Sequence, residues 1–448
     1  MSKENATFAR KKKVMQEIGT VDISEWGTFK DSLKAPIFGW FTYPAGFSYK
    51  AVEYSLKQEG LKPGDTVYDP FMGSGTTNLV AQMLNINSYG VEAHPFVFPI
   101  TKCKMNINVD INEVGNQLQS LIRQVKSVKA DSFDLNETLD KEFPELVRKC
   151  FLPETLYELM LIRNAIRQIK NEDVQLFLKT GLICTLRNVS IAATGWPYIA
   201  PNKIKITSLS KKGLDTFTKF IGKMIDDITY FRMTFGEIKS EHHIFLGDSR
   251  DTSEYIPSEV ADHIFTSPPY LNNFDYADRT RLEMYFMGEA NNWNDICTKV
   301  RTRLITSATT QINRSDSRYE FLEEFKRVNP SEYIFLSNVV KELGEKRKTK
   351  GGKKSYDLLV SGYFNDIFQI LKDNYRILKP GHKAKYILGD SAPYGVHIPT
   401  DELIGKIGCN IGFKEYKIDL LRARGDKWKN NPQRHDIKLR ESIVTLIK

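Results

Sequence analysis

Asp69-Pro70-Phe71-Met72-Gly73-Ser74-Gly75-Thr76-Thr77 follows a short β-prone run, Thr66-Val67-Tyr68, and opens a stretch from Thr76 to Leu84 with helical spacing. Glycines at such a strand–helix junction let the backbone turn tightly and come close to a ligand, and the helix start offers free N–H groups to a carboxylate or phosphate. Tyr89 to Val91 reads as a second strand, closed by Glu92 19 residues after Gly73. That spacing puts a carboxylate where a ribose hydroxyl pair would sit. No Gly-Lys-Ser/Thr follows the glycines, so an ATP phosphate loop is disfavoured. The competing reading is a plain glycine turn before a helix.

A second turn carries equal weight. Thr266-Ser267-Pro268-Pro269-Tyr270 follows the apolar run His263 to Phe265. Two consecutive prolines cannot continue a parallel ladder, so the chain must leave the sheet there in a stiff, extended form. Ser267 Oγ, nearby carbonyls and the Tyr270 ring are then fixed at the carboxyl end of the sheet, where open α/β sheets bind ligands. Acceptors beside an aromatic face suit a planar substrate with an amino group. The alternative is a proline turn with Tyr270 packed in the core.

Between and beyond the two turns the texture alternates. Residues 106–240 carry helical periodicity (Leu156, Leu159, Met160, Ile162, Ile166, Ile169; then Phe177, Leu178, Leu182, Ile183, Leu186) and are read as a helical insertion. His243–Leu246, Lys385–Leu388, Tyr416–Leu421 and Ser442–Ile447 read as further strands, and a helix from Tyr363 is expected to stop at Lys379-Pro380-Gly381. The expected organisation is 1–105 as an N-terminal segment plus cofactor half, 106–240 as the insertion, and 241–448 as a catalytic half with a basic insertion at about 290–355. Within the last, Lys341–Lys354 holds seven basic residues against two acidic ones and reads as a mobile basic loop. Asn272, Asn273, Phe274, Tyr276, Arg279 and Arg281 read equally as a pocket wall or phosphate-binding cluster and as a helix start. Trp196-Pro197-Tyr198, with Lys203 and Lys205, reads either as a nucleic-acid contact or as an ordinary turn, and His94 as a helix-start residue.

Composition narrows the classes. The 448 residues are 41% hydrophobic and 27% charged, which are globular values, and the net charge of +9 suits a polyanionic partner. No apolar run approaches the ~18 residues of a membrane span, and the basic N-terminus lacks the apolar segment of a secretory signal. Five scattered cysteines without a CxxC pair argue against a disulfide scaffold or zinc site, and no metal is expected. A cytoplasmic location follows as an expectation.

Together, the glycine turn and the diproline turn resemble the S-adenosylmethionine-dependent amino-methyltransferases of nucleic acids, which carry a (D/N/S)PP(Y/F/W) signature. The resemblance implies a Rossmann-like α/β sheet, mostly parallel with an antiparallel C-terminal strand supplied by Lys438–Lys448. It implies cofactor contacts at Asp69, Pro70, Phe71, Gly73, Ser74, Gly75 and Thr76, at Glu92 for the ribose, and at Asp248 and Ser249 of Leu246-Gly247-Asp248-Ser249-Arg250 for the adenine. Tyr43, Pro44, Ala45 and Phe47 of Thr42–Phe47 resemble the segment beside the methionine end, and Ser267, Pro268, Pro269 and Tyr270 resemble the catalytic tetrapeptide.

The motif order is that of bacterial restriction–modification enzymes, which makes double-stranded DNA the implied substrate and a cognate restriction endonuclease an implied partner. Within the family a leading serine is typical of cytosine-N4 methylation, while aspartate or asparagine is more usual for adenine N6. Carbon-5 chemistry needs a Pro-Cys nucleophile, and none of the five cysteines follows a proline. The expected function is therefore cytosine-N4 methylation, with Ser267 accepting the amine hydrogens and Tyr270 stacking on a flipped base. Adenine-N6 methylation is the alternative. An RNA amine methyltransferase and a non-catalytic DNA-recognition subunit stand behind it.

Overall fold

The computed structural model describes residues 23–43, 46–128, 134–193, 198–424 and 437–448. Seven strands form the central sheet: β1 (Thr66–Asp69), β2 (Asn87–Glu92), β3 (His242–Leu246), β4 (Ala261–Thr266), β5 (Leu378–Gly389), β6 (Glu415–Arg424) and β7 (Leu439–Ile447). Their spatial order is β3-β2-β1-β4-β5-β7-β6. β7 runs antiparallel to both β5 and β6, and every other pairing is parallel. The sheet is the one expected, mostly parallel with a reversed C-terminal strand.

Alternation along the inner strands splits the core in two. Val67 and Phe265 join one apolar cluster, while Tyr68 and Ile264, their neighbours on the same strands, join the other. Successive side chains of a strand point to opposite faces, so both faces of β1 and β4 are covered, as a parallel sheet requires. β1 and β4 lie side by side, with Tyr68 opposite Ile264. The chain lays β2 and β3 on one side of β1 and then returns to the other side with β4. The strand order therefore reverses between β1 and β4, and the crevice at their carboxyl ends is the binding position of an open α/β sheet.

The connections carry the helices. α1 (Thr76–Met83) follows β1 and α2 (Val97–Met105) follows β2. Between α2 and β3 stand α3 (Ile111–Ser127), α4 (Pro153–Ile166), α5 (Glu172–Val189) and α6 (Gly213–Phe235), with two short helices and the antiparallel pair Ala192–Ala193 and Ala200–Ile204. Their starts are written in the sequence. Asp110 and Asn171 accept hydrogen bonds from the first-turn N–H groups of α3 and α5, and Pro153 opens α4. On α3 the buried residues are Val114, Leu118, Leu121 and Val125, one face of a 3.6-residue period.

The basic stretch Lys341–Lys354 is not the loop expected. α7 (Pro330–Thr349) runs through most of it, because Leu336, Val339 and Leu343 extend the buried face and carry the helix into the lysines. Lys346, Arg347 and Lys348 fall in its last turn, where positive charge suits the helix dipole. α8 (Tyr356–Ile377) starts seven residues before the expected Tyr363, and α9 (Thr400–Ile411) links β5 to β6. Among the described residues no helix is long and apolar enough to cross a membrane.

Candidate active site

Asp69 ends β1 and is fully buried. Its Oδ1 accepts from Thr266 Oγ1 at 2.6 Å and from the Phe71 N–H at 3.0 Å, so one carboxylate stitches the end of β1 to the end of β4. Burial pushes its pKa up to about 6, against the pull of those donors. Thr77 Oγ1 adds a second stitch to the Phe265 carbonyl, 3.1 Å away. The glycine turn and the diproline turn are thereby held against each other.

A cavity opens between them, lined by Pro70, Phe71, Gly73, Ser74 and Thr76 from the first turn and by Ser267 and Pro269 from the second. Gly73 and Gly75 have φ of +52° and +81°, in the left-handed region that favours glycine. A Cβ on Gly75 would also stand 2.6 Å from Thr101 Cγ2. Asp69, Gly75, Pro268 and Tyr270 do not line the cavity; they support it from behind.

Glu92, at the end of β2, lines the cavity although only 7% of its surface is exposed. Its Oε1 accepts the His94 N–H at 2.7 Å. Burial raises its pKa to about 7, opposed by the backbone N–H groups of His94, Gly73 and Ala93. Asp248 and Ser249, after β3, complete that side. Arg250 forks onto the Asp248 carboxylate and reaches Asp366 with Nη1 at 2.9 Å, while Ser249 Oγ donates to the Pro70 carbonyl.

Tyr43 and Phe47 form another wall. The Tyr43 ring stacks on Phe41 and lies 5.6 Å from Tyr276, which also lines the cavity. Pro44 and Ala45, expected between them, lie outside the described residues, as do Trp196 and Pro197.

The diproline turn is anchored on the far strands. Ser267 Oγ donates to the Ile387 carbonyl of β5 at 3.0 Å. Tyr270 is buried; its hydroxyl donates to Glu441 Oε1 of β7 at 2.9 Å, and the Arg424 guanidinium sits 5.2 Å from its ring centre. In this structure the tyrosine expected to stack on a substrate ring is packed behind Ser267.

Two further sequence readings meet the structure here. His94 is buried and neutral, its pKa pushed down to about 3 by burial, with Nε2 at 2.8 Å from Thr280 Oγ1. Arg279 is also buried, bonded to Glu283 and the Thr42 carbonyl, so it braces the Tyr43 wall and is not free for phosphate. Of that cluster Tyr276 reaches the cavity, while Leu282, Tyr285 and Phe286 face the core.

The remaining wall carries no sequence signature. Arg303, Leu304, Ile305 and Ser307 come from the insertion between β4 and β5 and also line the cavity. They are held by one neighbour and two distant partners: Ser307 N–H donates to Gln311 at 2.8 Å, Thr306 N–H to Asp366 at 2.7 Å, and Asn272 N–H to the Ser307 carbonyl at 3.0 Å. No local motif marks such a segment.

The donor set fits an adenosine bearing an amino acid. A buried carboxylate (Glu92) and a second one (Asp248) can accept ribose hydroxyls and an adenine amine. Phe71, Val91 and Ile305 supply apolar walls, and the glycine turn leaves room for main chain to approach. No group of His, Cys, Asp and Glu among the described residues could hold a metal ion.

Comparison with known proteins agrees with this geometry. Residues 7–102 match the N6_N4_Mtase family model, described as DNA methylase. The chain is 26% identical over 441 residues to type II methyltransferase M.BsoBI of Geobacillus stearothermophilus, covering 91% of this chain and 85% of that protein. It is 23% identical over 419 residues to M.AvaI of Anabaena variabilis (88% and 82%) and 20% identical over 405 residues to M.MvaI of Kocuria varians (85% and 84%), both type II methyltransferases. Motifs, strand order and likeness over most of the chain converge: this protein is similar to DNA amino-methyltransferases, a family whose methyl donor is S-adenosylmethionine.

Proposed function

We propose that this protein methylates the exocyclic N4 amine of cytosine at a specific site in duplex DNA, as the modification enzyme of a restriction–modification system. The observation that carries the reading is the state of Ser267. Its hydroxyl hydrogen is committed to the Ile387 carbonyl, its oxygen also meets the Tyr270 phenol, and the residue lines the cavity, so a remaining lone pair can accept from a substrate amine. An exocyclic amine is a weak nucleophile because its lone pair is delocalised into the ring. Acceptance of its hydrogens by Ser267 and by a backbone carbonyl of the diproline turn localises that pair. The leading serine supports cytosine over adenine through the family resemblance.

When bound, S-adenosylmethionine supplies a methyl group activated by a sulfonium. Glu92 and Asp248 hold the adenosine, Tyr43 and Phe47 flank the methionine end, and the stiff Pro268-Pro269 corner fixes the acceptor. Such fixed near-attack geometry can be worth on the order of 7–11 kcal/mol. The amine lies in the plane of the base pair, so the base must be rotated out of the stack, at about a few kcal/mol. The net charge of +9 favours the phosphate contacts that offset this cost. The helical insertion at 106–240 is the proposed target-recognition lobe, and a cognate endonuclease the proposed partner.

Sequencing DNA from cells that express the chain, with detection of modified bases, tests the reading. N4-methylcytosine at one recurrent motif is the expected result. N6-methyladenine would replace cytosine with the alternative base, and methylation confined to RNA would overturn the assignment to DNA.

A further inference from the structure

The back of the glycine turn is gripped by two side chains that no motif assigns. α2 presents Thr101 and Lys104, three residues apart on one helical face, to two successive carbonyls of the turn. Thr101 Oγ1 donates to the Gly73 carbonyl at 2.6 Å, and Lys104 Nζ donates to the Ser74 carbonyl at 2.5 Å. Both side chains are fully buried. Lys104 Nζ also reaches the Phe38 carbonyl at 3.4 Å, in the segment that runs on to the Tyr43 wall. One ammonium therefore ties together the two segments that line the same end of the cavity.

Peptide geometry gives the grip a consequence. In a trans peptide the carbonyl of one residue and the N–H of the next point in opposite directions. Anchoring the Gly73 carbonyl on Thr101 turns the Ser74 N–H away from α2, and Ser74 lines the cavity. The neighbouring donors are already used: the Gly73 N–H serves Glu92, and the Gly75 N–H closes the turn on the Met72 carbonyl at 2.8 Å.

Lys104 is unusual in a second respect. Among the described residues no carboxylate is in ion-pair contact with it, and burial pushes its pKa down to about 7. Buried charges are ordinarily paired. A ligand carboxylate on the cavity side of the turn would supply the missing negative charge one backbone residue away.

We propose that Thr101 and Lys104 are positioning residues for the amino-acid half of the cofactor. They hold the Gly73 and Ser74 carbonyls behind the turn so that the Ser74 N–H is presented to the α-carboxylate. The proposal rests on the reading that the methionine end of S-adenosylmethionine lies at this turn.

Calorimetric titration of the full chain with two ligands separates the two ideas. S-adenosylhomocysteine carries the amino-acid half, and 5′-methylthioadenosine keeps the adenosine thioether without it. Wild type is expected to bind the first more tightly; equal affinities, or no binding of either, would remove the reading and the proposal with it. Given that difference, Thr101→Val and Lys104→Met should each weaken S-adenosylhomocysteine about tenfold, the loss expected for one hydrogen bond, and leave 5′-methylthioadenosine within about twofold. Thr101→Ser, which restores the hydroxyl, should recover the affinity. Equal losses for both ligands, an unchanged Thr101→Val, or failure of Thr101→Ser to rescue would overturn the grip while leaving the cofactor reading intact. Thr101→Val, nearly isosteric with wild type, carries the test if Lys104→Met does not fold.

Discussion

The turn after β1 takes its bend from its own glycines, Gly73 and Gly75 at positive φ, with side chains of α2 holding it from behind, whereas the turn after β4 hangs on β5 and β7, more than a hundred residues away. The first needs particular φ values, and any residue with a Cβ strains them. The second needs Ile387 and Glu441 in place, since Ser267 and Tyr270 hang on them. Two turns that share a cavity thus depend on different parts of the molecule. Damage to β5 or β7 should reach the acceptor at Ser267 before it reaches the cofactor side.

The sharpest way to break this contrast is Ser267→Ala. If the second turn supplies chemistry and the first supplies binding, single-turnover methyl transfer should fall on the order of 10²–10³-fold, as when one preorganised polar group is removed from an active site. S-adenosylhomocysteine affinity should stay within about twofold. A parallel loss of affinity would mean that the two turns do not divide the work.

A pH titration sharpens the other side. Burial holds the Glu92 carboxyl at a pKa of about 7, and ribose hydroxyls donate best to its ionised form. Below that value the free protein carries the proton, which must leave on binding. The Kd for 5′-methylthioadenosine, which has no group titrating nearby, should therefore rise about tenfold per unit as pH falls below 7 and level off above it. In Glu92→Gln the profile should be flat and the affinity lower throughout.

How much of this was legible follows the same divide. The glycine turn, Glu92 and the strand–helix alternation could be read because each is encoded within about 20 residues, by glycine placement and apolar period. Ser267 could be read as a turn residue, but its bond to Ile387 could not, because sequence does not show which strand becomes the neighbour of β4. The same limit hid Arg303–Ser307, held by Asp366 and Asn272, and Lys104, which reads as one lysine in an ordinary helix. Charge misled at Lys341–Lys354, where seven basic residues suggested a loop and the buried stripe of α7 overrode them.

Tyr270→Phe gives the smallest effect and the finest test of the contrast. The ring remains beneath Arg424, and Glu441 keeps its bond from Arg422 Nε at 2.6 Å, so the losses are the hydroxyl bond to Glu441 Oε1 and the hydroxyl's contact with Ser267. One buried acceptor without its donor costs roughly 1–2 kcal/mol, to be read as a lowered denaturation midpoint. If Tyr270 acts by holding the turn from behind, methyl transfer should fall less than about tenfold, and Glu441→Gln, which still accepts from the phenol, should fall less still. If instead the ring leaves the core to stack on an extruded base, Tyr270→Phe should keep full activity while Tyr270→Ala loses it. The two variants together decide whether this tyrosine belongs to the frame or to the substrate.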